Sequence, residues 1–466
     1  MKKEISLKLI IAILSAGMLS FLGILDETAT TVTFPTLIKE FKITTAQVQW
    51  VNTIVLLIIA IIVPLSSQIR LRIPTKKIFI LGIIFFTLGL LVDIFTSRFD
   101  LLLVGRVFQG IGTGIGLPLM YNIILARVPK SRLGFMMGIG TMITAAAVAL
   151  GPVFGGIVTN FLNWRWIFII SLFFMIISFI SGYYSIEQLN KLRKVHLKAG
   201  QWLFIAISLV SLMLGFTNLS KNAFFSYQVG GFLLVGMISL YIWGKVSWHD
   251  PDALINPHIF KNIAFSTQLI CYCFAKISTL ALGFIFPIYV QMVNHGTAAT
   301  AGWIMLPGAI VDAIMAAVAG KILDRKGARL PILVGIIASL ASLFIMCMSS
   351  KLSNNMIIWL YVLYYGGYGM SFSSLMTSGL TSLVEENDAQ GNAIFNTLQQ
   401  FSGAIGTALA GTLISISQSN KLLSQKVTTA IGAKWTFTVL LCLLIINLIL
   451  AMIFVPKNTK QIVKNS

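Results

Sequence analysis

The chain has 466 residues, of which 57% are hydrophobic and only 10% are charged, and its mean hydropathy is +0.90. This composition excludes a soluble globular domain and is typical of a membrane protein built from many apolar helices. The formal net charge of +20 does not indicate nucleic-acid binding, because Lys and Arg cluster in short loops between apolar segments, where they report topology.

Fourteen apolar segments are long enough to be transmembrane helices, which predicts an all-α polytopic membrane protein. They occupy residues 8–33, 47–66, 77–97, 101–126, 134–158, 164–184, 200–217, 227–244, 263–291, 299–320, 330–348, 356–379, 393–416 and 435–455. Lys and Arg are frequent in the loops on the side of the termini and sparse in the opposite loops, so we expect both termini in the cytoplasm. The first segment resembles a secretory signal, but its apolar run is long and lacks a small-residue cleavage site, so we expect an uncleaved helix.

Two stretches of the chain share one layout. Trp50 to Gly82 and Trp303 to Gly335 each contain a membrane helix, a basic loop and the start of the next helix, with the same spacing. We therefore predict a six-helix half over residues 1–190, two extra helices over 191–255, and a second six-helix half over 256–466. Halves related in this way can rock about a shared cavity, which is the geometry of alternating access.

Asp26 and Glu27 are adjacent carboxylates within the first predicted span. Each costs about 3 kcal/mol at the centre of a bilayer, so such residues normally face a bundle interior or a watery cavity. The alternative is that both are solvated among the outer headgroups. On a helix the two side chains point about 100° apart and cannot share one direction. A carboxyl group in a dry cavity can bind a proton from one side of the membrane and release it to the other.

Several short motifs follow one another through the first half. They are Leu25-Asp26-x-Thr28 with Pro35, Gln49-Trp50-Val51, Leu103-x-x-Arg106-x-x-Gln109-Gly110-x-Gly112, Gly151-Pro152-x-x-Gly155-Gly156 and Trp164-Arg165-Trp166-Ile167-Phe168. In this order and spacing the chain resembles the major facilitator superfamily, and within it the fourteen-helix drug:proton antiporters. The resemblance covers nearly the whole chain and implies the major facilitator fold, with two six-helix halves and two inserted helices.

The loop between predicted helices two and three departs from the family's pattern, Gly-x-x-x-Asp-Arg-x-Gly-Arg. Residues 67–75 read Ser-Gln-Ile-Arg-Leu-Arg-Ile-Pro-Thr, without the Asp and both Gly residues. The matching loop of the second half, from Gly320 to Gly327, keeps them and includes Asp324 and Arg325. A carboxylate in such a loop can cap a helix N-terminus and pair with Arg. Three interpretations stay open: this stabilising contact of the cytoplasmic loop has moved to the second half, it has weakened, or the change is neutral drift.

The resemblance and the cost of buried charge predict three sets of functional residues. For proton coupling we predict Asp26, Glu27 and Arg106. For substrate or cation binding we predict Asp312 and one polar face of span thirteen, formed by Asn396, Gln399 and Gln400. As conformational motifs we predict Gly151, Pro152, Gly155, Gly156, Asp324 and Arg325.

Several of these residues have a structural interpretation beside the functional one. Arg106 remains charged when buried, and it either takes part in a proton relay or only fixes helices one and four through an ion pair. The glycines of span five form a hinge, a tight packing surface, or both. Lys276 either pairs with a carboxylate or extends its ammonium group toward water. Asp312 lies centrally in its span, and the family often carries an acid there linked to cationic substrates. We expect Asp93 near the outer membrane interface.

The sequence contains no catalytic constellation, phosphate-binding loop, cofactor motif or metal-binding cysteine cluster, so we expect no enzyme, no cofactor and no metal. The expected partners are small-molecule substrates, protons and the lipid bilayer, without nucleic acid, and the protein is expected to be a monomer. We predict a proton-coupled antiporter of the cell membrane that exports amphipathic, cationic drugs or toxic organic compounds. Two alternatives stay open: export of an endogenous metabolite or lipid, and a non-transporting sensor with a transporter fold.

Overall fold

A computed structural model describes residues 6–128, 133–188, 198–218, 226–250, 253–384, 387–420 and 422–455. Within these residues the chain is helical and has no β-strand, which confirms the all-α prediction. The α-helices are α1 (Leu7–Val32), α2 (Phe34–Phe41), α3 (Thr45–Val48), α4 (Trp50–Arg72), α5 (Thr75–Phe95), α6 (Phe99–Arg127), α7 (Leu133–Phe161), α8 (Arg165–Ser185), α9 (Ala199–Asn218), α10 (Phe232–Trp248), α11 (Ile263–Met292), α12 (Ala298–Lys326), α13 (Arg329–Met348), α14 (Asn354–Thr381), α15 (Asp388–Gln418) and α16 (Gln425–Phe454).

Twelve of the helices in the described ranges are long and apolar enough to cross a bilayer. Helices α14 and α15 are 28 and 31 residues long but carry more polar side chains, and they fall outside this set. The chain is therefore a multi-pass membrane protein. The predicted count of fourteen spans is compatible with these helices and stays a prediction.

Polar residues fix where several helices begin. The side chains of Thr297, Ser353 and Ser424 precede α12, α14 and α16, and each accepts a hydrogen bond from the backbone N–H three residues on. Such caps satisfy N–H groups of the first turn that have no partner within the helix. Helix α12 ends at Gly327, whose φ of 83° is readily adopted only by glycine.

The helices pack as two groups. In the first helix group (α1 and α4–α8), α1 packs against α6, α7 and α8, and α6 packs against α4 and α5. In the second helix group (α11–α16), α14 packs against α11, α12 and α13, and α16 packs against α11, α13 and α15. Helices α9 and α10 pack on each other, and α9 also touches α4 and α15. The two groups meet where α7 packs on α12 and α4 packs on α15.

Hydrogen bonds join the two helix groups near the end of the bundle where α1 and α11 finish, which we call the closed end. Thr53 Oγ1 lies 2.7 Å from Thr407 Oγ1, and Thr45 donates to Gln418 at 2.7 Å. Gln291 of α11 donates to the last carbonyl of α1 at 3.0 Å. These bonds connect α3 and the start of α4 to α15, and the end of α1 to the end of α11.

Candidate functional site

Helix α1 buries Asp26 completely where it packs against α6 and α8. Ser171 of α8 donates a hydrogen bond to Asp26 Oδ1 at 2.5 Å, whereas Oδ2 has no hydrogen-bond partner in the part of the chain that the structure describes. Thr30, one turn along α1, donates to the main-chain oxygen of Asp26 and accepts a hydrogen bond from Arg106. The carboxylate of Asp26 is therefore enclosed by protein and is not solvated among headgroups.

Arg106 of α6 is only 1% exposed and lies between two acidic residues. Its Nη1 donates to Gln109 Oε1 at 2.8 Å, its Nη2 lies 3.4 Å from the main-chain oxygen of Asp26, and its Nε lies 3.9 Å from Asp93 Oδ2. Gln109 Nε2 in turn donates to Asp93 Oδ2 at 2.8 Å. Asp93, which we expected near the outer membrane interface, lies two residues from the end of α5 but is buried within the protein. Helix α5 packs its carboxylate against Gly105 of α6, where no side chain is present.

Glu27 lies on another side of α1 and is 7% exposed. The largest electrostatic interaction of its carboxylate is with Lys276 of α11. Close by, Thr31 donates to the main-chain oxygen of Glu27 at 3.1 Å and accepts a hydrogen bond from Asn52 of α4 at 2.7 Å. The two adjacent acids therefore have different surroundings: Asp26 is held within the first helix group, and Glu27 interacts with the second.

Asp312 of α12 is the acidic residue at the centre of the second helix group. It is partly buried, and its carboxylate packs against Gly369 of α14, where a Cβ atom would lie 2.6 Å from Oδ1. Lys276 interacts electrostatically with both Glu27 and Asp312. One cation thus connects acidic residues of the two helix groups.

A tyrosine cluster on α14 borders Asp312, and the sequence analysis did not identify it. The rings of Tyr361 and Tyr365 stack with centroids 4.3 Å apart, and Tyr364 and Tyr368 lie 5.5 and 5.9 Å from Tyr365. All four tyrosines are buried. Tyr368 precedes Gly369, which Asp312 contacts, and Tyr361 packs against Gly308, one turn before Asp312 on α12. The signal was present in the sequence, because spacings of three and four residues bring side chains together on a helix.

The polar residues of α15 differ in their contacts. Gln399 accepts a hydrogen bond from Tyr272 of α11 at 2.7 Å, and the Tyr272 ring stacks on Phe372 of α14 at 3.9 Å. Asn396 instead bonds to the residue four positions earlier on its own helix. Gln400 is partly buried. Of these three, Gln399 is therefore the one that the described hydrogen bonds tie to another helix.

The glycine motif of α7 contacts two helices. Gly151 and Gly155 face α1, and a Cβ atom on Gly155 would overlap the backbone of Ala29. Gly156 faces α12, where a Cβ would lie 2.7 Å from the main-chain oxygen of Ala298. Pro152 lies within α7, and its carbonyl packs against Gly302 of α12. The motif therefore permits close backbone contact both within the first helix group and between the groups. The side chains of the predicted Asp324 and Arg325 lie outside the described part of the chain.

The basic link between α4 and α5 carries a surface pocket of about 510 Å³. It is lined by Arg72, Ile73, Pro74, Lys77, Ile80 and Leu81. Asp93 lies sixteen residues beyond Lys77 on α5, which corresponds to about 24 Å along a helix, so this pocket is separate from the buried acids. In the described ranges no group of three or more His, Cys, Asp or Glu side chains could hold a metal ion.

Comparison with known sequences connects this arrangement to a family. The Major Facilitator Superfamily profile matches residues 16–407. A "Lincomycin resistance protein LmrB" of Listeria innocua is 31% identical over 404 residues, which are 86% of this chain and 85% of that protein. A protein of the same name from Bacillus subtilis is 30% identical over 90% of this chain and 87% of that protein. A "Putative multidrug resistance protein MdtD" of Yersinia pseudotuberculosis is 25% identical over 94% of each chain.

Solved structures of low sequence identity share the fold. A bacterial homologue of the human lysosomal transporter Spinster, in an inward-facing and unoccupied conformation, superposes with a TM-score of 0.72 at 14% identity over 99% of both chains. A D-xylose–proton symporter superposes with a TM-score of 0.67 at 12% identity, over 97% of this chain and 98% of that one. The match of the family profile over most of the chain, the relatives at 30% identity and the shared fold show that the chain belongs to the major facilitator superfamily of membrane transporters.

Proposed function

We propose that this transporter is a proton-coupled antiporter that exports amphipathic, cationic drugs or toxic organic compounds by alternating access. The names of the relatives, which are lincomycin and multidrug resistance proteins, support drugs as the exported class. The Lys and Arg bias supports a cell-membrane orientation with both termini in the cytoplasm. Coupling to protons and the positive charge of the substrate rest on the chemistry of the buried acids.

The observation that carries the proposal is the presence of an acidic residue in each helix group, with Lys276 interacting across the groups. Among the described residues, the Asp26 carboxylate has one hydrogen-bond donor, Ser171, and one oxygen without a partner. Asp312 packs against Gly369 beside the tyrosine cluster. An ionised carboxylate in such surroundings is costly, so a proton or an organic cation that neutralises it is stabilised. A proton and an organic cation that neutralise the same carboxylate compete for it. This competition allows the transporter to exchange one for the other.

Alternating access supplies the direction of transport. With the closed end sealed, the acids exchange protons with the cytoplasm and admit a substrate cation. When the α7–α12 contact shifts and the closed end opens, protons from outside replace the substrate. The close glycine contacts of α7 suit this motion, because backbones without intervening side chains can slide past one another.

The charge of the substrate decides the energy that is required. A monovalent cation leaving against about 100 mV, inside negative, works against about 2.3 kcal/mol, and each entering proton gains a similar amount. A pH gradient adds about 1.4 kcal/mol per unit for each proton. One proton per monovalent cation therefore uses only the pH gradient, whereas two protons also use the potential and need two titrating sites, which Asp26 and Asp312 could supply.

Transport into inside-out vesicles tests the proposal, with ethidium and lincomycin as drug probes and a panel of metabolites, with and without a proton gradient. We expect gradient-dependent uptake of the drugs. Asp26→Asn should abolish that uptake while the protein still inserts, and Glu27→Gln is the matched variant that decides which neighbour exchanges the proton. Uphill transport by Asp26→Asn at the wild-type rate would reject Asp26. Uptake of metabolites alone would favour the endogenous exporter, and no uptake of any compound would favour the sensor.

A second experiment tests the role of Asp312. Asp312→Asn should impair the dication pentamidine more than the monocation ethidium and should spare the neutral chloramphenicol, because a carboxylate stabilises charge far more in a low-dielectric cavity than in water. The three compounds are compared at matched expression. An equal loss for all three would make Asp312 a structural or general coupling residue, and no loss for any would remove it from the site.

A further inference from the structure

The Arg106 cluster consists of Arg106, Gln109, Asp26 and Asp93. Its one guanidinium group cannot neutralise both carboxylates when both are ionised. Asp26 and Asp93 are both 0% exposed, and Arg106 is 1% exposed. The charged groups whose fields reach Arg106 in the described residues are Asp93, Asp26 and Glu27. A buried cation shared between two buried carboxylates leaves one of them without full compensation.

In the described residues Arg106 donates a hydrogen bond to neither carboxylate, but its contacts place it closer to Asp93 than to the Asp26 carboxylate. Gln109 accepts from Arg106 Nη1 and donates to Asp93, each at 2.8 Å, so its amide bridges the cation and this acid. Arg106 Nε also faces Asp93 Oδ2 at 3.9 Å. Toward Asp26, in contrast, Arg106 reaches the main-chain oxygen at 3.4 Å and Thr30, and the described contacts include no bond to the Asp26 carboxylate.

Two glycines leave space for the Asp93 carboxylate between α5 and α6. A Cβ atom on Gly105 would overlap Asp93 Oδ1, and a Cβ on Gly89 would lie 2.7 Å from the Gln109 side chain. Glycine at both positions therefore lets α5 and α6 approach closely enough for Gln109 to connect Asp93 with Arg106 by hydrogen bonds.

We propose that Asp93 is the resident counter-ion of Arg106 and, by holding that cation, sets the pH at which Asp26 exchanges its proton. Asp93 is thus a positioning residue that acts through Arg106, and the inference rests on the proposed role of Asp26 in proton coupling. With Arg106 closer to Asp93, the Ser171 hydroxyl is the one donor that the described residues give the Asp26 carboxylate, and protonation relieves its uncompensated charge. Without Asp93, Arg106 is free to compensate Asp26, which then keeps its charge to lower pH.

The pH profile of ethidium uptake into inside-out vesicles tests this inference. In Asp93→Asn the midpoint of the profile should move to lower pH by about one unit or more, the range expected when an acid gains a neighbouring cation. Asp93→Glu keeps the charge and should keep the midpoint even if the rate falls. Asp100→Asn, which changes an exposed carboxylate paired with Arg98 at the start of α6, is the matched control and should leave the profile unchanged. A purely structural role would lower uptake at every pH without moving the midpoint.

Two further variants keep the test decisive. If Asp93→Asn does not accumulate in the membrane, Gln109→Met, which breaks the bridge and leaves both charges, should move the midpoint in the same direction by a smaller amount. Adding Asp93→Asn to an Arg106→Gln background should move the midpoint less than it does in the wild type, because only the direct repulsion between Asp93 and Asp26 is then removed. An unmoved midpoint in Asp93→Asn or in Gln109→Met, with a proton-driven wild type, overturns this inference alone. A wild type that ignores the proton gradient overturns the proposed function and this inference together.

Discussion

Replacement of Gly302 by Ala places one methyl group in the contact between the two helix groups. The new Cβ would lie 2.9 Å from the carbonyl carbon of Pro152 and 3.1 Å from Cα of Val153, and it would overlap the Pro152 oxygen. These are all backbone atoms of α7, so no side chain can rotate away to make room. Helices α7 and α12 must instead move apart near the closed end.

The size of the effect follows from these distances. Carbon atoms in contact are normally about 3.5–4.0 Å apart, so the helices must separate by about 0.5–1 Å. Overpacking of this kind costs about 1–3 kcal/mol. Because about 1.4 kcal/mol is a factor of ten in an equilibrium constant, the closed arrangement should lose about 5-fold to 150-fold in population against one in which these backbones are apart.

A buried reporter measures this population. The hydroxyl of Thr53 is fully buried against Thr407, so a Thr53→Cys thiol should react with a maleimide only when the closed end opens. Labelling of purified protein in detergent, in a Cys442→Ser background, should be about 10-fold faster when Gly302→Ala is added. Detergent removes any dependence on the orientation in the membrane.

Gly320→Ala provides the matched control on the same helix. A Cβ atom at Gly320 would have no neighbouring atom within 4 Å, so this change should not alter the labelling rate. Equal labelling of Gly302→Ala and its parent, in protein that remains folded and monodisperse, would refute the reasoning that this contact resists separation. The same increase in Gly320→Ala would show that any added methyl group on α12 has the effect.

Two other predictions follow from contacts outside the acidic sites. The paired variant Thr53→Cys with Thr407→Cys should form a disulfide on oxidation and lose transport, which a reductant should restore, because the two hydroxyl oxygens are 2.7 Å apart; full transport by the oxidised form would show that the closed end need not open. The hydrogen bond from Lys8, at 2.6 Å, lowers the pKa of Glu187 below its ordinary 4.5, so its stabilising effect is present above pH 4.5 and is lost as pH falls through the lowered pKa. The melting temperature of Glu187→Gln should therefore lie below that of the wild type at pH 7 and converge with it on acidification, and a constant difference would contradict this.

The apolar runs predicted most helices closely, because length and hydropathy alone define a membrane span. The predicted span 8–33 is α1 at residues 7–32, and 263–291 is α11 at residues 263–292. The largest error is the start of α16, predicted near residue 435 and found at Gln425. Lys426 and Lys434 resemble loop residues in the sequence. In the structure Ser424 caps α16, so the helix begins with polar turns that precede its apolar part.

The buried acids show where sequence reasoning ends. Asp26 was identified because it lies inside a motif and because the apolar run continues past it through Ala29, Val32 and Phe34. Asp93 lies two residues from the end of α5, so hydropathy assigned it to the interface. Its burial depends on the rotation of α5 against α6, and that rotation is set by the close approach at Gly89 and Gly105. A single sequence gives the position of a residue along a helix but not the neighbour that its side chain meets.

The balance of charge in the membrane region connects the two acidic sites. Among the described residues, four carboxyl groups, those of Asp26, Glu27, Asp93 and Asp312, interact with two cations, Arg106 and Lys276. If all four were ionised, two negative charges would remain uncompensated in surroundings where each costs several kcal/mol. Two protons, or one divalent organic cation, restore neutrality equally well. If the proposed proton coupling holds, this arrangement of charges predicts the exchange of two protons for one dication, and it predicts a different proton stoichiometry for monocations.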